Sequence, residues 1–486
     1  MQIPDSRADD DAPSIYSSAR QNAVVAVLAF AGMGAAFMQT ILIPIQSELP
    51  TLLDADASST AWVITVTLLA AAICTPIVGK LGDMFGKRRI SLILMVLLVA
   101  GSLLCALDAG LVPMIIGRAL QGTGMGVIPL GMALLRDVVE PRRLGTSIAL
   151  VSATLGVGGA IGLPISALVT ENFDWHMLFV FATVVAALAL ALIWLVVPAS
   201  DVRTGGRVDV LGAVGLATGL TGVLLAVSQG NTWGWTSPAT VLSFAVGIVA
   251  LVVWAWHELR VTNPLVDLRV SAKPTVLMTN LAAVALGFAL FSSNIAFPRL
   301  LQSPESVGGL GTSLLTASIM LMPSGLAMLA MSPIAGRLER RFGGKPLLIA
   351  GAAIIAVAYL VCLVVPLEGW VIAVVNAIIG IGIGLGYAAM PSLIMSAVPR
   401  SETGASNGLN TLMRALGTTA ASAIVAAILA SASASDLGTS FRIVFVMGVV
   451  AAVVCALLGV MVPGTKKPAA TTLTADRPSE DELVGA

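Results

Sequence analysis

Arg118 is the residue with the clearest chemical capacity. It stands in Gly117-Arg118-Ala119-Leu120-Gln121-Gly122, within a long apolar run. A guanidinium inside an apolar, membrane-length helix is costly, and it faces a cavity or a partner. Gln121 and Met125 follow at helical spacing and share its face. The competing reading is a structural arginine bonded to helix carbonyls. A second polar stripe is Asn407, Asn410 and Arg414, with Arg414 two to three turns into its helix. Asn280, Asn294 and Asn376 are further neutral polar groups, each alone read as an interhelical hydrogen bond. Together with Phe288, Phe291 and several methionines they suit an amphipathic small-molecule substrate. His176 and His257 fall at the edges of apolar runs, which argues against a buried histidine relay. There is no G-x-x-x-x-G-K-[ST] loop and no soluble segment large enough to hydrolyse a nucleotide. The chemistry on offer is binding and movement: no enzyme, no cofactor, no metal.

The elements that carry these residues are apolar helices. The 486 residues are 57% hydrophobic and 11% charged, with a mean hydropathy of +0.97, whereas a soluble chain carries about 25% charged residues. About fourteen runs are long enough to span a bilayer. They lie near 23–46, 59–79, 89–108, 111–135, 145–169, 177–198, 209–229, 238–256, 275–299, 311–333, 346–366, 369–397, 404–431 and 441–462. Zero net charge points to no nucleic-acid partner. Cys74, Cys105, Cys362 and Cys455 lie in or beside apolar runs and read as small buried hydrophobes. The start of the chain lacks a signal-peptide pattern, so the first span is expected to stay as an anchor.

The runs repeat. Pro76, Gly79, Lys80, Leu81, Phe85 and Gly86 have counterparts in Pro333, Gly336, Arg337, Leu338, Phe342 and Gly343, at an offset of roughly 257 residues. Gly122, Gly124 and Gly126 match Gly382, Gly384 and Gly386, and Gly145 matches Gly404. Two duplicated six-helix bundles follow. Arg118 aligns with Ile378, so its charge is outside the duplicated pattern. Lys and Arg gather on one side, in Lys80, Lys87, Arg88, Arg89, Arg136, Arg142, Arg143, Arg203, Arg207 and their second-half equivalents. The other side keeps Arg299 and Arg442 and the acids Glu48, Asp54, Asp108 and Glu368. The positive-inside rule puts the basic side and both termini in the cytoplasm.

Gly79-Lys80-Leu81-Gly82-Asp83-Met84-Phe85-Gly86-Lys87-Arg88-Arg89 reads as a glycine-punctuated loop between the second and third spans. It resembles the signature loop of the major facilitator superfamily. The two extra spans within residues 200–273 resemble the central pair of that superfamily's fourteen-helix drug:proton antiporters. The resemblance implies an all-α integral membrane fold of two six-helix pseudo-repeat bundles plus two extra central helices. The expected parts are a cytoplasmic tail (1–22), a first bundle (23–199), the insertion (200–273), a second bundle (274–464) and a second tail (465–486). The two-bundle core is expected to form without the insertion.

The run Gly158-Gly159-Ala160-Ile161-Gly162-Leu163-Pro164-Ile165-Ser166-Ala167 resembles a degraded form of the antiporters' fifth-helix motif. The fourth-span arginine, here Arg118, is implicated in proton coupling in that family. On the first span the family has an acid two residues before a threonine. Here Thr40 aligns, the acid position is Met38, and Gln39 and Gln46 are the nearby polar groups. With no acid deep in any span, proton coupling would move to edge residues such as Asp137 or Glu48. The expected substrate-cavity residues are therefore Met38, Gln39, Thr40, Arg118, Gln121, Asn294, Asn410 and Arg414. Gly79, Asp83, Gly86, Arg88, Arg136 and Asp137 form the expected conformational latch, with the thirteenth span's N-terminus offering its positive dipole to Asp83. In the family such contacts stabilise the outward-open state.

The implied function is proton-coupled efflux of small amphipathic compounds, of multidrug or antibiotic type, by alternating access. The protein would be a monomer in the inner (plasma) membrane, with the lipid bilayer as its surroundings. Two alternatives share the same features: an uncoupled or differently coupled carrier of a metabolite or lipid, and a receptor or scaffold that keeps the fold without transport.

Overall fold

The computed structural model describes residues 16–42, 45, 48–107, 109–199, 208–430 and 437–463. Gln46, Asp108, Arg203, Arg207 and most of both expected tails lie outside them. Fourteen helices among the described residues are long and apolar enough to span a membrane. The first bundle holds α1 (Ser18–Thr40), α2 (Ala57–Phe85), α3 (Lys87–Ala106), α4 (Leu111–Val138), α5 (Pro141–Asn172) and α6 (Met177–Val196). In α4 a 3-10 turn at Gly124–Gly126 joins two α-helical pieces. The insertion supplies α7 (Val210–Trp233) and α8 (Pro238–Glu258). The second bundle holds α9 (Pro274–Gln302), α10 (Leu314–Phe342), α11 (Gly344–Val364), α12 (Gly369–Ala397), α13 (Thr403–Ala430) and α14 (Leu437–Met461).

The helices overrun the apolar runs at the basic end. The second span was expected to stop near 79 and the tenth near 333, yet α2 continues to Phe85 and α10 to Phe342. Hydropathy marks where the hydrocarbon ends, whereas backbone hydrogen bonding goes on until something interrupts it. What interrupts it is one glycine. Gly86 has φ 101° and Gly343 has φ 83°, backbone angles open chiefly to glycine. The expected loop from Gly79 to Arg89 is therefore helix on both sides of a single reversing residue. The sequence repeat is a repeat in backbone conformation too.

Each bundle has its own core. Leu28, Met95, Leu134 and Phe179 belong to the first, and Phe297, Tyr359, Ile383 and Phe445 to the second. In its apolar window α12 is 72% buried and α8 17%, the extremes among the spans, so α12 is interior and α8 is the outermost. Exposed Leu242, Phe244, Val249 and Trp256 make α8 a surface suited to hydrocarbon. α7 is tied down by Asp209, whose carboxylate accepts the Gly212 N–H at 2.8 Å. Its Leu216, Leu220 and Leu224 pack with Ala72 of α2 and with Leu409 and Leu412 of α13. The insertion thus lies along the α2/α13 seam between the bundles, and the segment returning from α8 buries Leu265 and Val266 in the same cluster.

Candidate functional site

Three polar sites stand out, one between the bundles and one inside each of them. The first is at the basic end, where the bundles touch. Asp83 is 2% exposed, and its two carboxylate oxygens accept the N–H groups of Gly404 at 3.2 Å and Ala405 at 3.0 Å. Those amides belong to the first turn of α13, where N–H groups have no partner inside the helix and the dipole is positive. An acid of one bundle therefore caps a helix of the other. The seam is tight because both helices lack side chains there. A Cβ on Gly79 would come within 2.4 Å of the Gly404 carbonyl oxygen.

Lys87 extends this contact into a charge chain. Its ammonium is 2.6 Å from the Asp137 carboxylate and 3.9 Å from that of Asp83, and the residue is fully buried. Arg136 donates to the Thr403 hydroxyl at 2.9 Å and the Val398 carbonyl at 3.4 Å, both in the other bundle. Arg88, expected in this group, is not part of it. It donates to the Trp194 carbonyl at the end of α6, in its own bundle. The reason is register. Lys87, the first residue of α3 after the Gly86 reversal, turns inward toward Asp83 and Asp137, while Arg88 is rotated on by one residue. Lys87 is the member that sequence reasoning missed, although its four-residue spacing from Asp83 was visible.

The second seam has matching glycines and different chemistry. A Cβ on Gly336 would come within 2.4 Å of the Thr146 backbone on α5. The residue aligned with Asp83 is Arg340, which donates to the Arg142 carbonyl at 3.0 Å and the Thr146 hydroxyl at 3.2 Å. Cation and carbonyl replace carboxylate and amide.

The second site surrounds Arg118, which is 1% exposed. Its Nε donates to the Val63 carbonyl at 3.1 Å, and one Nη donates to the Met38 carbonyl and to Gln121 Oε1, each at 2.8 Å. Gln121 in turn donates to the Ser102 hydroxyl at 2.9 Å. This is a carbonyl-bonded arginine that ties α1, α2, α3 and α4 together. Arg118, Gln121 and Met38 were expected on a cavity wall, and here they are sealed in the bundle core. The partners are backbone carbonyls of helices distant in sequence, which no motif could supply. Gln39 and Thr40 are half-buried, and Thr40 returns its hydroxyl proton to the Phe37 carbonyl at 3.2 Å.

The third site is in the second bundle. Arg414 is 7% exposed and stands 4.5 Å over the Tyr387 ring of α12. Asn410 donates to Asn280 of α9 at 3.0 Å. Gly287 of α9 lies against Arg414, where a Cβ would come within 2.4 Å of its carbonyl oxygen. Asn280, Gly287, Phe291 and Asn294 recur at intervals that keep them on one face of α9, the face turned to α13. Asn280 and Gly287 are buried on that face, and Asn294, further from the basic end, is exposed. Asn376 donates to the Leu321 carbonyl at 2.9 Å and is an interhelical tie. Tyr387 is a member the sequence reading did not find.

The comparisons agree with this architecture. The profile of the Major Facilitator Superfamily matches residues 28–422 and 279–481. The chain is 28% identical over 420 residues to the uncharacterized MFS-type transporter Rv1877 of Mycobacterium tuberculosis, covering 84% of this chain and 59% of that protein. It is 26% identical over 333 residues to the uncharacterized MFS-type transporter YhcA of Bacillus subtilis, covering 68% of this chain and 62% of the relative. The chain thus spans about six tenths of the length of these two relatives. It is 26% identical over 408 residues to the lincomycin resistance protein LmrB of Listeria monocytogenes, covering 82% of this chain and 86% of that one. Among solved structures, the proton:xylose symporter XylE superposes with a TM-score of 0.63 at 16% identity, over 92% of this chain and 97% of that one. With a profile match running nearly the whole length, fourteen apolar helices among the described residues and two pseudo-repeated bundles, this chain is a multi-pass membrane protein of the Major Facilitator Superfamily.

Proposed function

We propose that the protein exports small amphipathic compounds by alternating access, as a secondary active transporter coupled to protons. The observation that carries this reading is the Asp83 carboxylate on the N–H groups of Gly404 and Ala405. It is a contact between bundles, made of few hydrogen bonds and a backbone approach, and so suited to open and re-form as a unit. Relatives named for lincomycin resistance support drugs as the cargo. The basic end faces the cytoplasm by the positive-inside rule, in the plasma membrane. The protein works as a monomer. Among the described residues no Asp or Glu stands within ion-pairing distance of Arg118 or Arg414, so protons couple through the carboxylates of the closing contact, Asp83 and Asp137. A second reading, a carrier without proton coupling, is favoured by Met38, which occupies the first-helix acid position and is packed in the core.

The test is dye efflux from vesicles containing purified protein, with and without an imposed pH gradient. Asp83→Asn should slow efflux by about tenfold at equal insertion, the effect of losing charged capping bonds. Wild-type rates in that variant would remove the closing contact from the mechanism. Efflux indifferent to the gradient would select the uncoupled carrier.

A further inference from the structure

The α13 stripe holds two groups that the protein leaves unsatisfied. Among the described residues Arg414 has neither a carboxylate partner nor a hydrogen bond, and its one specific contact is the Tyr387 ring. A ring face attracts a cation but accepts none of the in-plane N–H bonds of the guanidinium fork. Asn407, two turns nearer the basic end on the same face, is 2% exposed, and both its amide nitrogen and its amide oxygen are buried without a partner. Buried polar groups are bonded in the large majority of cases, so such exceptions point to a missing partner. Between them Asn410 is already satisfied by Asn280. Phe291 of α9, one turn beyond Gly287 on the face turned to α13, is half-buried, and the exposed Asn294 continues the same α9 face away from the basic end.

We propose that Arg414, with the Asn407 carboxamide, is the subsite for the oxyanion of an amphipathic substrate, a carboxylate or phosphate borne on an apolar or aromatic body. The fork of a guanidinium matches two oxygens of either group in parallel, and the bond strengthens where water is scarce. The amide nitrogen of Asn407 donates to the same charge or to a polar group beside it. Gly287 belongs to the subsite by omission, because its missing Cβ lets the α13 backbone approach at Arg414, whose carbonyl oxygen would lie 2.4 Å and whose Cγ 3.2 Å from it. The assignment deepens the transport reading by naming the class of cargo. It also shifts the cavity's positive charge from Arg118, whose Nε and one Nη donate to carbonyl oxygens within the first bundle, to the other bundle.

The experiment measures equilibrium binding and needs no transport, so its failure is separate from failure of the efflux reading. Purified protein in phosphatidylcholine nanodiscs is titrated with 2-naphthoate, 2-naphthyl phosphate and the matched cation 2-naphthyltrimethylammonium. The wild type should bind one or both anions at least about tenfold more tightly than the cation, the fold-change of one charge-assisted bond. Arg414→Met should abolish that preference, Arg414→Lys should keep part of it, and Asn407→Leu should weaken anion binding a few-fold. Equal binding of cation and anions by the wild type overturns the proposal whatever the variants do. So does undiminished naphthoate binding by folded Arg414→Met. If Arg414→Met is not monodisperse, Arg414→Lys and Asn407→Leu decide, and wild-type affinity in both overturns it. Repeating the titration with phosphatidylglycerol present distinguishes the sources of the oxyanion. Competition that weakens in Arg414→Lys places a lipid headgroup in the subsite, and no competition keeps it for free substrate.

Discussion

Arg118 and Arg414 are both buried guanidiniums in the middle of membrane helices, one in each bundle, and they are in opposite situations. Arg118 meets two backbone carbonyls and a glutamine, so its burial is offset by charge-assisted bonds that join four helices. Arg414 meets a tyrosine ring and little else among the described residues. The first is a tie within a bundle. The second is a cost that the fold offsets only with a ring face unless something binds there. The contrast shows why an intramembrane arginine should be judged by its acceptors and not by its depth.

The largest expected effect divides the pair by stability. Arg118→Met should destabilise the protein by about 3 kcal/mol, the worth of a few hydrogen bonds to a charged group. Arg414→Met should leave stability unchanged or raise it, because removing an uncompensated buried charge also removes its desolvation penalty. Thermal unfolding of both in one detergent tests this, and equal losses would erase the distinction. Gln121→Leu should come next, at about 1–2 kcal/mol, since it breaks bonds to both Arg118 and Ser102. A fully stable Gln121→Leu would show that Arg118 needs only its carbonyls. Tyr387→Leu sharpens the other side. It should cost about 1 kcal/mol through the lost cation–π contact and leave the charge of Arg414 available to a ligand.

The smallest effect concerns pH. Neither guanidinium titrates in the physiological range, so weak pH dependence falls to groups between the bundles. Glu402, just before α13, has its carboxyl pushed up by burial and by nearby Asp267, against the opposing pull of Lys80 and Lys273. A raised carboxyl binds its proton more tightly in the folded than in the unfolded protein. Stability is therefore gained as pH falls through the raised value and lost again above it. Glu402→Gln should flatten this mildly acidic slope by a small amount, because the group is partly solvated. An unchanged slope would assign the dependence elsewhere.

What the chain determines by itself is whatever depends on composition and local periodicity. Fourteen apolar runs must become helices in lipid, where each backbone group needs an internal partner. The 257-residue offset between Gly86 and Gly343 declares two bundles, and both glycines reverse the chain as their shared motif implies. Asp83 beside that reversal and Arg136 at the end of α4 were legible as charges at the basic end. What only the tertiary structure decided is which charges meet. Lys87 and not Arg88 turns inward, because one residue of helix rotates a side chain by more than a quarter turn. Met38 and Arg118 are sealed and Arg414 is left over, because carbonyls of distant helices reach the first and not the second. Hydropathy measures how much a residue costs to bury. Only the packing of helices far apart in sequence determines whether that cost is met by the protein or left to a ligand.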